Sequence, residues 1–159
     1  MTIPQFRLSK WQHFLALGFG SGLARKAPGT VGTLVAVPIV ALLMWLGMPY
    51  LFSFIILGSI LGVYVCDVTT VDINQPDHAA IVWDEIIGFA ITMFLVPLTW
   101  QYIVLGFILF RLFDIAKPWP IRFFDKTVHG GLGIMLDDVL AGIAACASLH
   151  LVIYMLSSS

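Results

Sequence analysis

Between Phe110 and Asp138 the chain concentrates half of its basic residues and four of its nine acidic ones, in a sequence that otherwise avoids charge. Apolar runs flank this segment, Tyr102 to Phe113 on one side and Val139 to Met155 on the other, each long enough to enter a bilayer. A charged residue at the centre of a membrane helix costs about 2.5–3.5 kcal/mol, so the segment must face water while its flanks face lipid. The expected architecture is an all-α, polytopic membrane helix bundle, one domain over residues 1–159, with about four or five transmembrane helices.

Composition supports lipid as the main solvent. The chain is 60% hydrophobic and 11% charged, with a mean hydropathy of +0.99, whereas soluble domains are about 25% charged. A net charge of -1 without a basic face or arm excludes nucleic acid as a partner. Cys66 and Cys146 lie in apolar runs without CxxC spacing and read as small apolar side chains. Arg7 and Lys10 ahead of Phe14-Leu15-Ala16-Leu17 hint at a signal peptide, but that run is too short and leads to Arg25-Lys26. The chain is therefore read as mature.

In order, residues 1–29 form a basic, glycine-broken lead-in, in which Trp11 to Leu17 suits a short interfacial helix. Val31 to Trp45 reads as the first membrane helix, kinked at Pro38, and Leu51 to Cys66 as the second. Asp67 to Asp84 reads as a polar loop with four Asp. A third helix runs from about Ile81 or Asp84 to Val96, a fourth from Tyr102 to Phe113 and a fifth from Val139 to Met155; Glu85–Phe113 as a re-entrant hairpin would lower the count. All eight Lys and Arg fall in the lead-in or in 111–126, so the positive-inside rule puts both segments in the cytoplasm. With five spans, every charged residue then sits on that one face.

Five carboxylates stand at expected helix ends: Asp84-Glu85 opening the third helix, Asp114 closing the fourth, and Asp137-Asp138 opening the fifth. Adjacent carboxylates on a helix point about 100° apart, so one member of each pair can face a shared centre. Oxygen ligands from three helix ends suit Mg²⁺, which keeps waters and bridges to substrate phosphate. Arg111, Lys117, Arg122 and His129 lie nearby in sequence as anion partners, although Arg111 and Asp114 at i, i+3 suit a simple ion pair. Ala27-Pro28-Gly29-Thr30-Val31-Gly32-Thr33 leads into a helix N-terminus, which favours an anion; small residues for close helix packing are the competing reading. Gly18-Phe19-Gly20-Ser21-Gly22 lacks dinucleotide spacing. His13, His78 and His150 carry no signal, and Trp11 and Trp119 read as interfacial anchors. Asp84-Glu85-Ile86-Ile87-Gly88 and Asp137-Asp138-Val139-Leu140-Ala141-Gly142 echo one another, too briefly to be a repeat.

Taken together, the glycine segments, Val82-Trp83-Asp84-Glu85-Ile86-Ile87-Gly88, Phe110-Arg111-Leu112-Phe113-Asp114-Ile115-Ala116-Lys117-Pro118-Trp119-Pro120-Ile121 and Gly133 to Gly142 resemble bacterial phosphatidylglycerophosphatase A, from about residue 11 to 155. The resemblance implies an inner-membrane, Mg²⁺-dependent lipid phosphatase acting on phosphatidylglycerophosphate at the cytoplasmic face. On that reading Asp84, Glu85 and Asp138 are catalytic, and these three with Asp114 and Asp137 are metal ligands or base. Thr30, Arg111, Lys117, Arg122 and His129 would hold phosphate.

Other phosphatase chemistries fit less well. The Pro-Ser-Gly-His turn of histidine-nucleophile lipid phosphatases is absent, as are the Asp-x-Asp of aspartyl-phosphate enzymes and the acidic run of CDP-alcohol phosphotransferases. The rival from another class is a small transporter or ion-coupled channel using the acids as ion ligands. It requires charge near the bilayer midplane, whereas this sequence puts its charge at one side.

Overall fold

The computed structural model describes residues 6–76 and 78–158. The described residues contain helices and no strand: α1 (Trp11–Ala16), a 3₁₀ segment (Gly18–Leu23), α2 (Pro28–Leu46), α3 (Met48–Ile73), α4 (Trp83–Thr92), α5 (Trp100–Ala116), α6 (Ile121–Thr127) and α7 (Gly130–Ser157). Three of them, α2, α3 and α7, are long and apolar enough to cross a membrane. At 1.5 Å per residue α4 rises only ~15 Å and α5 ~25 Å.

The short helix α4 is the centre of the molecule. Ile86, Ile87, Ala90 and Met93 are fully buried, and Trp83, Phe89 and Thr92 nearly so. A helix apolar on all sides needs neighbours on all sides, and α2, α3, α5 and α7 supply them. The outer helices turn Leu34, Leu42, Trp45, Leu57, Ile60, Ile108, Ile143 and Leu151 outward instead, as lipid-facing surfaces do.

Glycine sets the spacing inside this sheath. A Cβ on Gly142 of α7 would lie 2.5 Å from the carbonyl oxygen of Gly88 on α4, and one on Gly88 would lie 2.5 Å from the Phe110 ring. The backbones of α4 and α7 therefore touch at Gly88 and Gly142. Thr92 Oγ1 donates to the Gly88 carbonyl at 2.9 Å and reaches that of Gly142 at 3.5 Å. On α3, Gly58 and Gly62 clear space for Ile87, Trp83 and Met135, and Trp83 Nε1 donates to the Gly58 carbonyl at 3.0 Å.

Several boundaries differ from the expected ones because charged residues were read as loop. Helix α3 continues through Asp67 and Asp72 to Ile73, ending at Asn74 with φ 52, so much of the expected 67–84 loop is helical. Both acids are satisfied there: Asp67 accepts the Gly131 N–H at 3.1 Å, and Asp72 holds Lys10 and, at 2.8 Å, His13 Nε2. Helix α7 starts at Gly130, so Asp137 and Asp138 lie two turns inside it rather than opening it. Helix α1 packs on α3 and α4, burying His13 and Ala16 while Trp11 stacks on Tyr64. Asp77 lies outside the described residues.

The described charges gather at one end of the bundle: the start of α2, the end of α3, the start of α4, the end of α5, α6 and the first turns of α7. The connections at 47 and 93–99 and the end of α7 carry none.

The α4–α7 contact is testable. Gly142→Ala should destabilise the detergent-purified protein by about 1–3 kcal/mol, as overpacking does, while Ile143→Ala at the neighbouring exposed position should change little. Thermal unfolding of the two variants decides it; equal midpoints would mean that the crossing is loose.

Candidate active site

Because Gly88 and Gly142 touch, the residues one turn before them also meet. Asp84 precedes Gly88 by four residues and Asp138 precedes Gly142 by four, the spacing that puts two side chains on one face of a helix. Both helices start from the charged end, so the two carboxylates come together there. Glu85 joins them, and Asp84, Glu85 and Asp138 each bring one oxygen within 4.8 Å of the others.

Glu85 is steered by α2 and α5. A Cβ on Gly29 would lie 2.0 Å from Glu85 Oε1 and 3.0 Å from Arg111 Nη1, so the α2 N-terminus closes tightly on this pair. Arg111 Nη1 reaches Glu85 Oε1 at 3.5 Å and Asp114 Oδ2 at 2.5 Å. Lys117 caps α5 in the left-handed region at φ 40, a conformation that side chains adopt only when their surroundings hold them there. Two ion pairs do so, to Asp125 at 2.6 Å and Asp137 at 2.5 Å. Burial by itself pulls the Lys117 pKa down, but the bonds to Asp125 and Asp137 outweigh it and keep the ammonium charged well above the usual lysine range.

These groups line one cavity of about 270 Å³, with Ala27, Pro28 and Gly29 from the start of α2 and His78, Ala79 and Ile81 from the segment before α4. Five carboxylates there face two fixed cations, Arg111 and Lys117. The five acids divide into two roles. Asp114 and Asp137 hold the basic side chains, whereas Asp84, Glu85 and Asp138 face one another.

Asp84 Oδ1, Glu85 Oε2 and Asp138 Oδ2 are buried without a hydrogen-bond partner among the described residues. An uncompensated buried carboxylate is expensive, and three converging all-oxygen donors fit a hard divalent cation such as Mg²⁺. Arg111 Nε is likewise buried and without a hydrogen-bond partner among the described residues.

The remaining expected phosphate contacts are placed elsewhere. Thr30 lies one residue beyond the lining at the start of α2. Arg122 is exposed on α6 and lines neither this cavity nor the smaller one of about 140 Å³ beside it, where His129 sits with Asp125 and Asp137. The Ala27–Gly29 backbone, expected to lead into an anion-favouring helix N-terminus, lines the cavity, whereas His78 is a cavity group that residue type alone does not reveal. The one available signal for His78 was its position shortly before Asp84-Glu85.

A family model and two relatives carry the same name. The family model for phosphatidylglycerophosphatase A matches residues 14–153. The phosphatidylglycerophosphatase A of Escherichia coli (strain K12) is 44% identical over 149 residues, covering 93% of this chain and 87% of that protein. The protein of the same name from Haemophilus influenzae is 50% identical over 135 residues, covering 84% of this chain and 83% of its own length. No solved structure matches significantly. With its acidic cavity at one end of a lipid-facing bundle, and with identity of this extent along nearly its whole length, the chain belongs to the phosphatidylglycerophosphatase A family.

Proposed function

We propose that this protein hydrolyses the terminal phosphomonoester of phosphatidylglycerophosphate, giving phosphatidylglycerol and inorganic phosphate, with Mg²⁺ as cofactor. Membership of a family named for that activity supports the reaction. The observation that carries the site is the unpartnered carboxylate cluster of Asp84, Glu85 and Asp138 beside Arg111 and Lys117.

Asp84, Glu85 and Asp138 would hold the metal, with Asp114 and Asp137 at the edge of its shell. Bound there, Mg²⁺ would neutralise phosphate charge and acidify a water molecule. Arg111 is anchored through Nη1 to Asp114 and Glu85 and presents Nε–H to a phosphate oxygen. The Lys117 ammonium adds a second fixed positive charge. The first turn of α2, where Gly29 and Thr30 have no i−4 carbonyl to bond, offers backbone N–H groups to the same anion. One carboxylate of the cluster would take the proton of the attacking water as its oxygen bonds to phosphorus and the bond to the glycerol oxygen breaks, and would return that proton to the glycerol oxygen, which leaves as the hydroxyl of phosphatidylglycerol. Thr30, Arg122 and His129 are assigned to headgroup approach at the rim.

The same reading sets the bundle across the bacterial inner membrane. Helices α2, α3 and α7 cross, and the α4–α5 hairpin brings the membrane-embedded segments to four or five. The charged end faces the cytoplasm, as the eight basic residues in the lead-in and 111–126 require, so acyl chains remain in lipid while the headgroup enters the cavity. The transporter reading has no comparable support, since the described charges lie at one end of the bundle without a polar path to the other.

Purified protein should release phosphate from phosphatidylglycerophosphate with Mg²⁺ and stop in EDTA. Asp84→Asn and Asp138→Asn should each lower kcat at least about a hundredfold, the scale of a lost acid–base group, with helix content unchanged by circular dichroism. Full activity in both variants would sink the site assignment.

The cation also has a readout that does not involve turnover. Mg²⁺ at a hundred times its Kd should stabilise the wild type by about 2.7 kcal/mol, seen as a higher thermal midpoint. The Asp84→Asn/Asp138→Asn double variant should show no Mg²⁺-dependent shift. A shift of the same size in both proteins would place the ion elsewhere.

A further inference from the structure

His78 is the only histidine lining the acidic cavity among the described residues, and it is held from several directions. Its segment lies in a trough formed by the 3₁₀ segment. Gly18 has φ +53 and Gly20 φ +94, and a Cβ on Gly22 would lie 1.9 Å from the Ala80 carbonyl oxygen. Val82 N–H donates to the Ala16 carbonyl at 2.9 Å, and Ile81 N–H to that of His78 at 2.8 Å. The glycines that matched no nucleotide motif thus seat the backbone that delivers His78 and then Asp84-Glu85.

The ring itself is fixed by hydrogen bonding. Ala80 N–H donates to His78 Nδ1 at 3.1 Å, and the Phe6 ring packs edge-on at 5.0 Å. A nitrogen that accepts an N–H presents its lone pair, so the proton of this neutral imidazole is on Nε2. Held this way, the ring has no free lone pair for a metal. Nor can it serve as a general acid without becoming an imidazolate. What remains is a hydrogen-bond donor at Nε2, in a cavity whose cationic side chains, Arg111 and Lys117, come from the end of α5.

We propose that His78 binds the phosphate group of the substrate through Nε2–H as a neutral hydrogen-bond donor, taking no part in proton transfer or metal ligation. The proposal rests on the phosphatase reading and adds to it a phosphate ligand from the α4 side of the cavity. The close fit of Gly18 against Val82 and of Gly22 against Ala80 fixes where that donor stands.

The test compares wild type, His78→Ala and His78→Gln as full-length protein in detergent. It measures kcat and KM for phosphatidylglycerophosphate across pH, together with thermal midpoints with and without inorganic phosphate in the presence of Mg²⁺. His78→Ala should lower kcat/KM about tenfold to a hundredfold, the scale of one hydrogen bond to a charged group. It should also lose most of the phosphate-induced rise in midpoint. His78→Gln, which carries an amide N–H near the Nε2 position, should recover most of both, with the pH profile keeping the limbs of the wild type. Wild-type activity in His78→Ala would overturn the proposal. So would a His78→Gln variant as impaired as His78→Ala at an unchanged midpoint, or a pH limb lost in His78→Gln. If the wild type releases no phosphate from the lipid, the phosphatase reading fails. The phosphate-induced shift then still decides His78: its loss in His78→Ala supports phosphate binding, and its persistence refutes it.

Discussion

The backbone contact between Gly88 and Gly142 governs the geometry of this molecule. Two helices can approach this closely only where neither carries a Cβ, and here an added Cβ on Gly142 would meet a carbonyl oxygen at 2.5 Å. Small residues are the common means of close helix approach in lipid, where the hydrophobic effect does not drive helices together. The contact does more than pack α4 on α7. It fixes the separation of whatever each helix carries one turn toward its N-terminus, and those residues are Asp84 and Asp138. The cluster is thus held by main chain, which is stiffer than a set of side chains reaching across a gap.

Stability and function make opposite demands on α4. Its apolar residues favour full burial, and α2, α3, α5 and α7 provide it. Its first turn carries two carboxylates that burial penalises. The fold reconciles them by placing Asp84-Glu85 where the sheath opens, so that the acids lie at the boundary between the apolar interior and the cavity. Arg111 and Lys117, each anchored by carboxylates of its own, close that boundary from α5. Glu85 is shared between the two groups, facing the acids while keeping contact with Arg111.

Much of this was legible from charge placement. A chain with so few charged residues must explain each of them, and the acid doublets at 84–85 and 137–138 with Asp114 do line one cavity. The brief echo between the two doublets, each followed by a glycine, was the imprint of the α4–α7 crossing, although four-residue spacing alone does not say that the glycines touch. Boundaries were harder to read, because a charged residue was taken as the end of a helix. Asp67, Asp72 and Asp137 are helical since each finds a partner on another element, and such partners are invisible in a linear pattern. His78 was missed for a related reason. Its relevance depends on the fit between Gly22 and Ala80, residues 58 positions apart, and not on any property of its immediate neighbours.

The charge balance of the cavity constrains the order of events. Five carboxylates, when ionised, outnumber Arg111 and Lys117, and both cations are already engaged by acids. A phosphate monoester near neutral pH carries close to two negative charges, so such a cavity repels it until positive charge is added. The unpartnered oxygens of Asp84, Glu85 and Asp138 supply the place for that charge. On the proposed reading, a divalent cation held by these oxygens would precede or accompany the phosphate group. On this argument Arg111 Nε–H and Lys117 do not capture the substrate by themselves. With a cation held by the three carboxylates, as proposed, they would orient the phosphate group, which would reconcile an anionic substrate with a site built mostly from acids.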